Sequence, residues 1–132
     1  MTRLGFLIAR TLRDEAALQT LSAPRSAILD DLAGKHVALI GNARALSDAD
    51  HGADIDSADL IIRINRAPMP AATSHGTRTG WLALAVRLDA GDRSRLAPRR
   101  ILWMSPKRKR LHWQTSTSPG FYLYPLPDYH AL

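Results

Sequence analysis

The chain has 132 residues, no cysteine and a formal net charge of +6, with 45% hydrophobic and 23% charged residues. A chain of this length fits one domain, residues 1–132, that buries roughly two thirds of its unfolded surface. The composition excludes a collagen-like or disordered class, and without cysteine neither a disulfide framework nor a thiolate metal site can form.

The apolar cluster from Leu4 to Ala9 is broken by Arg10, Arg13, Asp14 and Glu15. It is too short for the core of a signal peptide, and nowhere does the chain approach the run of about 18 apolar residues that crosses a bilayer. A reducing, cytoplasmic setting is the expectation. Leu12, Ala16, Leu18, Leu21, Ile28, Leu29 and Leu32 then recur at helical spacing, interrupted by Pro24. This predicts two short helices, with Ser22 or Ser26 available as a cap and Gly34 as the left-handed residue that ends the second.

His36–Ile40, stopped by Gly41, and Leu60–Ile64 have the uninterrupted apolar character of interior parallel strands. The aspartate-rich connection between them has room for a helical turn at ARAL, residues 43–46, so the unit is βαβ-like with a right-handed crossover. Trp81–Val86 is strand or helix, because six apolar residues in a row have no period. Ile101–Met104 and Phe121–Tyr124 are strands bounded by proline, glycine and arginine. Four or five short strands with helices between them place the chain in the α/β class.

Alternation along LIIRIN puts Leu60, Ile62 and Ile64 on one face and Ile61, Arg63 and Asn65 on the other. An arginine inside a covered sheet requires a carboxylate or carbonyl partner, and Asp54, Asp56 and Asp59 are the candidates, with Arg63 bracing the aspartate-rich loop. Asn65 falls at the carboxyl end of its strand, as Asn42 does after Gly41. Open α/β sheets bind ligands beyond those ends, especially where strand order reverses. Two carboxamides there could hold a nucleotide phosphate or ribose, and Gly41 would let backbone approach the ligand closely. Each is equally consistent with an asparagine that merely turns the chain. There is no GxGxxG, Walker lysine loop, HExxH, GxSxG or EF-hand pattern, and the aspartates lack the spacing of a calcium loop.

Residues 35–84 resemble the large sialyl motif of the animal-type sialyltransferases, glycosyltransferase family 29. The matching elements are the strand into Gly41-Asn42, Gly52, Ile55-Asp56-Ser57, Asp59, Arg63-x-Asn65-Arg66-Ala67-Pro68 and Gly76-Thr77-Arg78-Thr79. The resemblance implies a Rossmann-like three-layer fold of the variant GT-A type. It also implies inverting transfer of sialic acid from CMP-sialic acid to a glycan hydroxyl, without a metal or other cofactor. By position, Gly41, Asn42 and Asn65 would meet the donor nucleotide, while Asp56, Arg63 and Arg66 belong to the motif's framework. Ala45 stands where the family has a second loop asparagine, and the family's motif cysteine is absent, as expected of a bacterial, cytoplasmic relative. The later motifs that carry the family's general-base histidine are not found in residues 85–132, so the expectation is an amino-terminal portion of such an enzyme, truncated and without an assigned base. His36, His51, His75, His112 and His130 read as surface or structural residues.

The positive charge is uneven: residues 93–132 carry eight Lys/Arg and one Asp/Glu, against 10 and 11 in residues 1–92. Residues 99–113, RRILWMSPKRKRLHW, could in principle track a nucleic-acid backbone and stack on bases. A solvated loop is the plainer reading, and residues 99–110 could instead attract anionic substrates or an anionic membrane surface. The alternatives to a sialyltransferase are thus a basic nucleic-acid-binding module or a non-catalytic remnant that only binds nucleotide.

Overall fold

In the computed structural model, which covers residues 1–132, the first helix, α1 (Arg3–Leu12), starts where the Thr2 hydroxyl accepts the Gly5 N–H at 3.0 Å. It stops at Arg13, whose left-handed φ of 57° turns the chain into α2 (Glu15–Gln19), capped by the Asp14 side chain. The third, α3 (Arg25–Leu32), begins directly after Pro24, and Gly34 follows it with φ 69°. The two helices expected across Pro24 are therefore present, but neither Ser22 nor Ser26 caps α3. Ser22 is occupied elsewhere, accepting the Leu123 N–H and donating to the Ala23 carbonyl. The additional helix α1 arises because the opening apolar cluster buries Phe6 and Ala9 while leaving Leu4, Ile8 and Leu12 in solvent.

Five strands follow: β1 (Val37–Ile40), β2 (Leu60–Ile64), β3 (Trp81–Leu84), β4 (Arg100–Trp103) and β5 (Tyr122–Leu123). All neighbours are parallel and the spatial order is the chain order, β1-β2-β3-β4-β5. The ambiguous WLALAV run is thus a strand, and the α/β class holds, with a parallel sheet flanked by helices and compatible with a Rossmann-like sheet. Two expectations change. The strand order does not reverse among these five strands, so no crevice arises from a reversal. In addition, β1 is an edge strand, with Leu39 65% exposed, rather than an interior one.

Crossovers of one hand that always step in one direction must lie on one face of the sheet. The connections do so: a 3-10 turn (Arg44–Asp48) with α4 (Gly52–Asp56), then α5 (Ala72–His75), α6 (Ala90–Leu96) and α7 (Trp113–Ser116). That face carries the main core, in which Phe6, Ala9 and Leu18 from α1 and α2 pack with Leu82, Leu84, Ile101, Trp103 and Leu123. A neighbouring cluster joins Ile55 and Ala58 to Ile61 under the first crossover. The opposite face is covered by α3, through Ile28, over Leu60, Ile62, Trp81 and Tyr122. The last helix, α8 (Leu126–His130), follows β5 and is tied to α3 by an Arg25–Asp128 pair at 3.0 Å.

The first two crossovers touch at a glycine. A Cβ on Gly52 of α4 would fall onto the backbone carbonyls of Ala72 and Thr73 in α5, whereas a Cβ on Gly41 would meet nothing within 4 Å. Gly52→Ala is therefore expected to lose on the order of 3 kcal/mol of stability through overpacking against backbone. Gly41→Ala should change stability by less than about 0.5 kcal/mol. Urea denaturation of the two variants measures both.

Candidate functional site

Arg63 is 1% exposed in the middle strand of the first three, so its charge must be solvated by the protein. None of the aspartates expected to pair with it does so by hydrogen bond. Instead Nη2 donates to the carbonyls of His75 and Arg78 at 2.8 and 2.7 Å, and Nε donates to Arg78 O at 3.0 Å and Thr79 Oγ1 at 3.2 Å. Arg63 therefore braces the loop His75–Thr79 rather than the aspartate-rich loop. Carbonyls satisfy the donors of a guanidinium without neutralising it, and a loop this short can aim two of them at one arginine.

Asp56, at the end of α4, grips the same loop from the other side. Its carboxylate accepts the Thr77 N–H at 2.9 Å, the Thr77 hydroxyl at 3.0 Å and the Arg78 N–H at 3.0 Å. Burial alone would raise its pKa, but these bonds and the Arg63 charge outweigh it and hold the carboxyl below its usual range. For Arg63, burial acts to lower the pKa and Asp56 opposes it. Arg78 in turn donates to the carbonyls of Asp56 and Ala58. Gly76 makes this possible: its φ is 69°, and a Cβ there would lie 2.5 Å from Asp56 Oδ1. Asp59 does a separate task, accepting the His36 N–H at 2.7 Å where β1 begins.

Beyond this clamp, β1 and β2 deliver their two asparagines to one sheet edge. Asn42 donates Nδ2 to the Ile64 carbonyl at 3.0 Å, directly beside Asn65. Asn65 has φ 55°, a left-handed conformation that asparagine adopts more readily than most residues. Its Oδ1 accepts the Ala85 N–H at 2.9 Å, joining the ends of β2 and β3. Both residues thus have structural hydrogen bonds, yet Asn42 Oδ1 and Asn65 Nδ2 make no bond within the protein, and Gly41 is exposed beside them. An acceptor, a donor and an open stretch of backbone converge where a polar ligand can reach them. Arg66 follows with an exposed side chain, and its role in the framework falls to its carbonyl, which accepts Arg95 Nη2 at 2.7 Å.

No histidine hydrogen-bonds to Gly41, Asn42 or Asn65. His75 is buried with Nδ1 2.7 Å from Ser74 Oγ, His36, His51 and His130 are exposed, and burial near Arg87 and Arg10 lowers the pKa of half-buried His112. No three His, Asp or Glu side chains gather closely enough to hold a metal ion.

The basic stretch after residue 98 divides by role. Arg100 pairs with Asp31 at 2.5 Å and lies over the Trp81 ring, and Arg108 pairs with Glu15. Trp103 is fully buried and Trp113 is half-buried against Phe6, so both tryptophans of the stretch serve the core. No helix is long and apolar enough to cross a membrane.

A family model described as glycosyltransferase family 29 (sialyltransferase) matches residues 7–87, more than half of the chain. The match contains β1 to β3, the Arg63–Asp56 clamp and both asparagines, and ends before β4. No curated protein and no solved structure matches the chain.

The clamp has a signature in acid. Because the folded pKa of Asp56 is depressed, it contributes stability above its ordinary value of 3.8 that is lost as pH falls through the lower folded value. Asp56→Asn is expected to be less stable at neutral pH and to show a shallower loss on acidification below about pH 4. Asp56→Ala should cost on the order of 2–3 kcal/mol at pH 7, by leaving charge-assisted bonds unmade. Denaturant titrations across pH 2.5–7 give both results.

Proposed function

The chain belongs to glycosyltransferase family 29, the sialyltransferases, and from that premise we propose that it binds CMP-sialic acid at the carboxyl edge of β1 and β2. The proposed reaction is transfer of the sialyl group to a glycan hydroxyl with inversion at the anomeric carbon and without a metal ion. The observation that carries this reading is the Asn42 Nδ2 to Ile64 O bond, which sets one carboxamide beside the other within the region the family model matches.

In this reading the cytidine nucleotide lies over Gly41, where the absence of a side chain leaves the backbone approachable. Asn65 Nδ2 donates to the nucleotide and Asn42 Oδ1 accepts from it, an uncharged pair that can satisfy both ribose hydroxyl and phosphate oxygen. Departure of CMP requires only that its phosphate remain stabilised, and the acceptor hydroxyl must lose a proton as it attacks. None of the five histidines bonds to Gly41, Asn42 or Asn65, and no residue of the chain is assigned as the base that takes that proton. The framework residues Asp56 and Arg63 act through geometry, by fixing the loop against which β2 ends.

Calorimetric titration with CMP tests the reading, provided the variants separate ligand binding from folding. Asn65→Asp keeps the oxygen that accepts the Ala85 N–H and loses the free amide donor. Its thermal stability should stay near that of the wild type while CMP affinity falls by about tenfold or more, the worth of roughly 1.4 kcal/mol. Gly41→Ala, neutral for folding, should weaken CMP in the same range. Folded wild-type protein that takes up no CMP, or variants that bind it unchanged, would exclude this site.

A further inference from the structure

A concave site lies on the same carboxyl edge of the sheet, at the flank away from Asn42 and Asn65. It is a cleft of about 510 Å³ between the end of α1, the segment Pro106–Arg110 after β4, and α8 after β5. A volume of this order suits a small-molecule ligand. Seven of its ten lining residues, Pro106–Arg110, Leu126 and His130, fall outside the family match, while Arg10, Arg13 and Glu15 fall within it.

Its construction separates a rigid floor from a charged rim. The floor is Arg108, 5% exposed, which donates to Glu15 at 3.0 and 2.5 Å, to the Ser105 carbonyl at 2.8 Å and to the Tyr124 carbonyl at 2.6 Å. Glu15 is the single carboxylate of the lining and is consumed by this pair; burial would raise its pKa, but Arg108 and Gln19 bring it below the usual range. The rim is Arg10, Arg13, Lys107, Lys109 and Arg110, none of which has an ion-pair partner. Arg10 is held in place, with Nη1 on the Leu111 carbonyl at 2.9 Å and its guanidinium over Phe6, so its orientation is fixed while its charge stays uncompensated.

Five cations without counter-ions around one concavity repel one another, and low-dielectric walls increase that repulsion. An anion in the cleft removes the penalty. We infer that this cleft is a binding site for a small polyanion carrying two or more phosphoryl or carboxylate groups. It is separate from the strand ends at Asn42 and Asn65, since β2 and β5 lie three strands apart, about 14 Å at ordinary strand spacing. Of its lining residues only Leu126 is hydrophobic, and none is a tyrosine, phenylalanine or tryptophan, so the lining offers charge rather than a stacking surface and favours a compact anion over single-stranded nucleic acid.

Inorganic pyrophosphate is the probe. Titrated into the full chain, it should bind, raise the melting temperature, and lose affinity steeply as sodium chloride is added. Lys109→Glu/Arg110→Glu, at exposed positions free of ion pairs, should weaken binding at least tenfold while the apo melting temperature holds or rises. Arg13→Asn, on the opposite wall, suits the left-handed backbone there and removes one charge, and should weaken binding severalfold. Asn65→Asp should leave pyrophosphate affinity unchanged. The inference is overturned if the wild type takes up no pyrophosphate, if both rim variants bind it as the wild type does, or if Asn65→Asp weakens it as strongly as they do. It is equally overturned if the rim variants abolish binding only to anionic phosphatidylserine vesicles or to single-stranded RNA, with pyrophosphate inert.

Discussion

Arg63 is a full charge placed where water cannot reach it, and the loop from His75 to Thr79 has its shape because its carbonyls must do what water would do. A buried guanidinium left unsatisfied costs several kcal/mol, so the loop and the strand cannot vary independently. Asp56 closes the arrangement by taking the loop's N–H groups, while Arg63 takes its carbonyls. One short segment is thereby held through both polarities of its backbone, by an acid from α4 and a base from β2.

That constraint propagates. With the loop fixed, Gly76 must be glycine, since any side chain would enter the Asp56 carboxylate, and α5 is pulled down until only a glycine fits beneath it at position 52. The end of β2 is fixed in the same way, because Arg63 is anchored two residues before Asn65. The chain can then turn through a left-handed conformation at Asn65 and again at Ala67, φ 44°, without losing the strand's register. Two asparagines on adjacent strand ends, each half used by the fold, leave one donor and one acceptor without a partner in the protein.

The local pattern of LIIRIN predicted that Arg63 and Asn65 do different things, because strand alternation and strand ends are properties of a few neighbouring residues. It also predicted that the arginine needs a partner. What local pattern could not supply was which partner, since the acceptors are backbone carbonyls 12 and 15 residues away and a carbonyl leaves no mark in the sequence. Helix α1 escaped for a related reason: its visible apolar residues, Leu4, Ile8 and Leu12, are the exposed ones, and the buried face amounts to Phe6 and Ala9. The edge position of β1 was hidden because VALI is apolar throughout, although only some of it is covered. Order in the sheet is a long-range property, and a four-residue run does not encode it.

A common device underlies both ends of the sheet. Arg10, Arg63, Arg95, Arg100 and Arg108 each tie a loop or helix end to another segment through a backbone carbonyl. In a chain without cysteine and with strands of two to five residues, such bonds serve as cross-links, and hydrogen bonds to charged groups are the stronger kind, about 1.5–3 kcal/mol each. A carbonyl satisfies the donor but does not cancel the charge. Three of these five arginines have a carboxylate partner as well, Arg95 with Asp92, Arg100 with Asp31 and Arg108 with Glu15, so their charge is compensated as well as tied. The cations left without a carboxylate beside Arg108 are Arg10, which is itself a tie, and the exposed Arg13, Lys107, Lys109 and Arg110, which tie nothing; it is this charge, beyond what holding the loops requires, that the cleft presents to an anion.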